Sequence, residues 1–369
     1  MPGTSLLIRG ARQLITLRGS SSARRGVELT ELSIIEDGAM LIAPNGLIQE
    51  VGPARRVENL AAARGAEEIP ASGCVVMPGL VDCHTHLLDS VRRGMRSWTG
   101  ARLEMEARET LAWLVRHGTT AIEVKVQDAR EAKVVTALDG MVMDVASTLF
   151  RPQIAPDVAS CACGGCLRFA SVDCGPGALD EGQARQILQA AHGCGYRLRV
   201  HGGTAARTAI EAGAVTLDHI EHVPDPDVEL LASSTTIVTL FPGIEFQNGR
   251  SGTNARRLID AGAAVALATD LSPSTSLAAS MLTMMSIAST IMRLSPAEAL
   301  VAATINGAHA LGLERSIGTL EVGKQADVVI LDIPDYREIP RLAGLNVVRT
   351  TIKRGSVIYR RGDVLWKSE

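Results

Sequence analysis

Aromatic side chains are scarce in this chain. Three Trp, three Tyr and four Phe make up 3% of its 369 residues, so a core must close through Ala, Gly, Val and Leu, with helices and strands packed at short range. Long apolar runs are missing too. None approaches the roughly 18 residues that suggest a membrane span, and the start, MPGTSLLIRGARQLITLRGSSSARRG, lacks the charged-then-apolar pattern and cleavage site of a secretory leader. A cytoplasmic protein is expected. A net charge of only −3 gives neither nucleic acid nor an anionic membrane an electrostatic foothold. Cysteines number seven, an odd count in a large chain with no leader, which argues against a disulfide framework. Cys161, Cys163 and Cys166 crowd into CACGGC. With no second Cys/His pair nearby at finger spacing, this reads as a tight Gly-rich turn rather than a structural zinc site.

What the chain does have is a repeated phrase. From residue 76 onward, short β-branched runs alternate with helical stretches that stop near Gly. The runs are VVMPGLVDCHTH, TTAIEVK, DVASTLF, LRFASVDC, LRVHGG, VTLDHIEH, TTIVTLFPG and AVALATD. Between them lie amphipathic segments such as RLEMEARETLAWLVRHG and DEGQARQILQAAHGCG. Repeated strand–helix units of this kind predict an α/β fold, a (β/α)8 TIM barrel, over 76–317. The flanks have a different grammar. ELSIIEDGAMLIAPNGLIQEVGP near the start and GTLEVGKQADVVILDIP near the end read as hairpins, so residues 1–75 and 318–369 are expected to meet in one small β-sandwich domain. Residues 295–313 open with Ser295-Pro296, a helix N-cap and first position, and close near Gly312.

In such barrels chemistry gathers at the carboxyl ends of the strands. The first run ends in His84 and His86, which strand alternation aims to the same side. The fifth ends in His201, the sixth carries His219 and His222, and the eighth ends in Asp270. Imidazoles with one carboxylate suit a borderline divalent ion, Zn²⁺ before iron, with a position left for water whose pKa falls to near 7. An isolated strand-end His is more often a hydrogen-bonded core residue. The His-x-His pair with a separate His and Asp at matched ends favours one metal site.

These residues carry a resemblance. MPGLVDCHTH, the later strand-end His and the final ATD are similar to the amidohydrolase superfamily. TTAIEVK, AVTLDHIEH, LFPGIEF, VALATDLSPSTS and GTLEVGKQADVVILDIPDY resemble its imidazolonepropionase-like members. The resemblance spans nearly the whole chain and implies a metal-dependent hydrolase, a homodimer by expectation, that opens a small ring at a cyclic amide or amidine carbon. By position it implies His84, His86, His201 and Asp270 as metal ligands. His219, rather than His222, matches the histidine that orients water and stabilises the oxyanion, leaving His222 at the rim. Asp270 would also move the proton from water to the leaving nitrogen. Arg93 stands where the family holds its substrate's carboxylate, and Arg151 is a second candidate. Lys125 falls on the wrong strand for a lysine that bridges two metals, so it and Glu123 read as supporting residues. Cys174 stands near the bridging position of a second metal.

One departure is informative. The family carries a Glu three residues after the fifth-run His, and here that position is Thr204, which can hydrogen-bond but cannot hold a proton in reserve. A different small-molecule substrate and a bias against deamination are expected. A linear amide hydrolase of prolidase or acylase type, an aminohydrolase and a metal-stabilised barrel that only binds a ligand are the other readings.

Overall fold

The computed structural model describes residues 4–88, 98–127, 129–138, 143–150, 167–220, 223–249, 255–272 and 278–362. Among the described residues, sixteen strands fall into two sheets. The first sheet draws on both flanks of the sequence. It holds β1 (Leu6–Ile15), β2 (Ile34–Ile42), β3 (Ile48–Pro53), β4 (Glu67–Pro70) and β5 (Val75–Pro78) from one flank. The second sheet takes β6 (Leu80–Thr85), β7 (Thr119–Val126), β8 (Met143–Phe150), β9 (Leu167–Asp173), β10 (Arg197–His201), β11 (Thr216–Asp218), β12 (Ile237–Leu240) and β13 (Val265–Leu267) in chain order. The other flank returns β14 (Val328–Leu331), β15 (Val348–Lys353) and β16 (Ser356–Arg360) to the first sheet, where β14 pairs antiparallel with β5.

The strand chemistry explains the split. All described pairings within the second sheet are parallel, and β6, β7 and β12 are buried at every position. Parallel strands covered on both faces read as continuous apolar runs rather than alternating ones. The first sheet alternates more, as in β1, where exposed Arg9 interrupts buried neighbours. Its strands enclose one apolar cluster that includes Leu6, Ile8, Leu14, Met40, Ile42, Val328 and Ile352.

The run VVMPGLVDCHTH, expected as one strand, is divided. Val75–Pro78 joins the first sheet and Leu80–Thr85 the second, with Gly79 between them. Gly79 donates its N–H to Asp327 O at 2.9 Å. A Cβ there would lie 2.1 Å from Thr120 Oγ1, so the crossing needs glycine. The stretch after Ser295 is divided as well, into Pro296–Ala302 and Ile305–Leu311. Thr304, at φ −130° and ψ −93°, breaks it, while Ser295 and Glu298 form a capping box at the start.

Helices pack outside the second sheet. Gly100–Arg116 is capped by Thr99 and buries Leu103, Ala107, Leu111, Leu114 and Val115 along one face. Glu181–Gly193 starts from an Asp180–Gln183 capping box and buries Ala184, Leu188 and Ala191. β6, at one end of the sheet order, contacts the segment after β13, at the other end. Thr85 bridges Leu271 in parallel, and the His86 N–H donates to Leu271 O at 2.7 Å. Among the described residues no helix is long and apolar enough to cross a membrane.

Candidate metal centre

Each candidate residue reaches the site from a strand's carboxyl end. His84 is the penultimate residue of β6, His86 follows that strand, and His201 closes β10. His219 and Asp270 come just after β11 and β13, and both have a left-handed backbone, φ 56° and 51°. A side chain with a Cβ rarely takes that conformation, and its cost is borne where surrounding structure enforces it, often at functional sites. Here it turns each chain out of strand register and brings the side chain to the same centre.

The donor atoms converge. Ligand atoms of His84, His86 and Asp270 all lie within 4.8 Å of one another, as do those of His84, His201 and His219. Asp270 Oδ1 stands 3.5 Å from His84 Nε2, 3.6 Å from His86 Nε2 and 4.0 Å from His219 Nε2. Two bonds of ~2.1 Å meeting at a tetrahedral angle would put their donor atoms about 3.4 Å apart, close to the spacing of Asp270 Oδ1 from His84 and His86. His84 and His201 are buried, and among the described residues neither Nε2 has a hydrogen-bond partner. An unsatisfied buried nitrogen is costly and calls for an occupant. Burial, followed by the nearby Lys125 charge, drives both imidazoles well below their ordinary pKa. They are therefore neutral at pH 7 and have lone pairs to offer. By donor chemistry and spacing, the residues fit a divalent ion.

Beneath the histidines lies a buried charged layer. Asp218 Oδ2 sits 2.8 Å from His84 Nδ1 and 3.4 Å from His201 Nε2. Lys125 Nζ donates to Glu123 Oε1 and to Ser171 Oγ, both at 2.9 Å, and lies 3.8 Å from Asp218 Oδ2. Arg199 Nε is 3.3 Å from Glu123 Oε1, and its guanidinium lies over the Phe169 ring. Two carboxylates and two cations thus balance within the sheet interior. Burial alone would raise the Asp218 pKa, but the charges around it, Lys125 foremost and Arg199 with it, hold the carboxyl below its ordinary value. Asp82 is different. Burial pushes its carboxyl up to about 7, against hydrogen bonds from the Thr269 hydroxyl at 2.5 Å and N–H at 3.1 Å.

Phe241, the residue after β12, walls the other side. It stacks on His219 at a centroid distance of 4.5 Å and 16° between planes, and meets His84 edge-on at 4.9 Å. A cleft of about 310 Å³ opens beside His219, lined also by Asp173, Cys174, Gly175, Gly202, Gly203 and Thr204. Thr204 is exposed in this cleft. Gly202 has another reason to be glycine. At φ 119° its Cβ would lie 2.0 Å from the Cys174 carbonyl oxygen. Cys174 is buried, and burial raises its thiol pKa, so it is a poor source of thiolate.

The structure gathers His84, His86, His201, His219 and Asp270 in one place and sets Thr204 beside them. Lys125 and Glu123 support the site from below rather than facing it. Arg93, Arg151, His222 and the CACGGC cysteines lie outside the described residues. The sequence reading missed Asp218, Arg199, Asp82 and Phe241. A signal was present for Arg199. Arg197, Arg199 and His201 alternate along one face of β10, and a charge inside a strand that must be buried marks a polar interior. Asp218 offered none, because alternation puts either Asp218 or His219 inward, and only the left-handed turn at His219 allows both.

The chain is similar to several known proteins. A family model described as the amidohydrolase family matches residues 177–358. Imidazolonepropionase from Geobacillus kaustophilus is 33% identical over 420 residues, covering 97% of this chain and 99% of that protein. Its counterpart from Parabacteroides distasonis is 31% identical over 415 residues, with 97% and 99% covered. Among solved structures, an adenosine deaminase from Xanthomonas campestris with bound zinc superposes with a TM-score of 0.77 at 18% identity, covering 98% of this chain and 94% of that one. A triazine hydrolase variant gives 0.78 at 18% identity, with 99% and 97% covered.

Proposed function

Because the chain belongs to the amidohydrolase family, in its imidazolonepropionase-like branch, and is thus a metal-dependent hydrolase of C–N bonds, we propose that it opens a small cyclic amide, imide or amidine. The observation that carries this reading is the convergence of buried His84 Nε2 and His201 Nε2, neither with a hydrogen-bond partner among the described residues, with His86, His219 and Asp270. His84, His86, His201 and Asp270 would hold one divalent ion, Zn²⁺ by preference for three imidazoles and a carboxylate and iron as the alternative. When bound, such an ion supplies Lewis acidity that polarises the scissile group and makes water acidic enough to attack at neutral pH.

The chain's own residues do the rest. Asp270 accepts the proton of the attacking water and returns it to the leaving nitrogen, so a C–O bond forms, the ring C–N bond breaks and the nitrogen departs protonated. His219 donates a hydrogen bond to the oxygen on which charge develops, with Phe241 stacked behind it to fix the ring. Thr204, in the family's proton-carrier position, binds substrate through its hydroxyl and leaves Asp270 as the sole shuttle. Arg93 and Arg151 are the proposed holders of a substrate anion, and His222 a rim contact. A single ion is favoured because burial keeps the Cys174 thiol protonated and because neither group of candidate ligands among the described residues includes it.

The same reading treats the eight parallel strands as a closed barrel over 76–317, supported by the Thr85–Leu271 bridge. It treats 1–75 with 318–369 as a β-sandwich domain around their shared apolar cluster.

Asp270→Asn with a panel of cyclic amides, imides and amidines tests the proposal. Ring opening should fall by about 10²- to 10⁴-fold. Hydrolysis of linear amides in preference to rings, or ammonia release from aminated heterocycles by the wild type, would move the assignment to the corresponding class. A metal-loaded wild type inert on all of them would overturn enzymatic ring opening.

A further inference from the structure

We infer that Asp218 is a positioning residue that locks His84 as the Nδ1–H tautomer, and that the buried cations Lys125 and Arg199 hold it there. The inference rests on the metal site proposed above. An ionised carboxylate only accepts hydrogen bonds, so the 2.8 Å contact between Asp218 Oδ2 and His84 Nδ1 requires the proton on Nδ1. Nε2 is then bare, and it is the nitrogen that faces Asp270 Oδ1 at 3.5 Å with no hydrogen-bond partner among the described residues. The opposite tautomer would aim an N–H at the same point and exclude a cation.

The arrangement of the charged layer argues for this role over simple filling. Asp218, Glu123, Lys125 and Arg199 are each 0% exposed. Burying four charges is a poor route to stability when apolar side chains could fill the same space, so position is the better explanation. Their distances are graded. Both Lys125 Nζ and Arg199 Nη1 stop 3.8 Å from Asp218 Oδ2, whereas Lys125 spends its close contacts on Glu123 and Ser171. Each cation therefore compensates the Asp218 charge without competing for the oxygen that His84 uses. The local backbone fits as well. Ending β11 at Asp218 and turning His219 left-handed lets consecutive residues both face inward, Asp218 beneath the imidazoles and His219 above them.

The experiment reads the tautomer directly. Side-chain ¹⁵N spectra of the metal-free wild type, with the His84 signals assigned by their loss in His84→Gln, should show Nδ1 protonated and Nε2 bare. In Asp218→Asn the new amide can donate to Nδ1 and favour the wrong tautomer, so the Nε2–H form should appear and Zn²⁺ affinity, from chelator competition, should fall 10- to 100-fold. A wild-type His84 protonated on Nε2, or an Asp218→Asn protein with unchanged Zn²⁺ affinity, overturns the inference. If that variant does not fold, the wild-type spectrum decides alone. Failure of the wild type to bind any divalent ion overturns the metal site instead, while the spectrum still judges the role of Asp218.

Discussion

His84, His201 and Asp82 all carry displaced pKa values, and in the metal-free protein they pull stability in opposite directions. Burial holds both imidazoles well below 6.5, so as pH falls below 6.5 the unfolded chain takes up two protons that the folded chain refuses, and stability is lost. Asp82 acts the other way. With its folded pKa raised to about 7 from 3.8, it binds a proton when folded but not when unfolded across that interval, so its contribution declines as pH rises from 3.8 to about 7. His309, also lowered by burial, acts with these two histidines, so together they outnumber the one carboxyl and unfolding takes up protons below 6.5. Urea denaturation of the chelated protein should therefore lose stability on acidification below that point, and Asp82→Asn should steepen the loss. A flat profile would mean that these groups are solvated without the ion. Thr204 makes a separate prediction at this scale. It is exposed in the cleft beside His219, so Thr204→Glu has room to return a proton carrier to the position three residues beyond His201. Ammonia release from aminated heterocycles should rise by about 10²-fold over the wild type, measured at equal metal content. An unchanged rate would show that the proton carrier is not what limits the substrate range.

The turn from β10 into Gly203–Ala205 carries His201 and Thr204 together, and Gly202 sets its path. Its N–H donates to Asp218 O at 2.8 Å, and the Cys174 N–H donates to His201 O at 2.9 Å, so the ends of β9, β10 and β11 are tied at this one turn. Gly202→Ala has to move the Cys174 carbonyl and hold an L side chain at φ 119°. We expect a loss of at least about 1–3 kcal/mol in urea unfolding, together with weaker metal binding because His201 shifts with the turn. Full stability would mean that the turn relaxes freely. Elements of this kind also mark what the sequence could reveal. The helix start at Ser295 was legible because the cap and the proline after it are adjacent in sequence. The strand-end histidines and Asp270 were legible because alternation and strand order place them. The break at Gly79 was not, since it depends on Asp327 O and Thr120, which are distant in sequence. Asp218 escaped for a similar reason, because a positive φ at His219 is a tertiary fact that no period in the sequence encodes.

Across the whole molecule, the site lies where β6 approaches the segment after β13. His84 and His86 belong to β6 and its end, Asp270 to the segment after β13, and these two edges are joined by the Thr85–Leu271 bridge, the His86 N–H and the Asp82–Thr269 pair. An ion shared by His84, His86, His201 and Asp270 would add bonds across that seam and tie β10 to it. Removal of the ion should then act on more than the local site. Anything that binds only the folded state stabilises by RT ln(1 + [L]/Kd), about 4 kcal/mol at a thousandfold excess over Kd, so chelation should lower the melting temperature measurably. The loss should also be uneven. Amide exchange should quicken first at Thr269, Leu271 and His86, whose bonds close the seam, before it quickens in β7, which is buried at every position within the sheet. Uniform acceleration across both sheets would show instead that the ion stabilises the fold globally and that the seam is held by protein contacts alone.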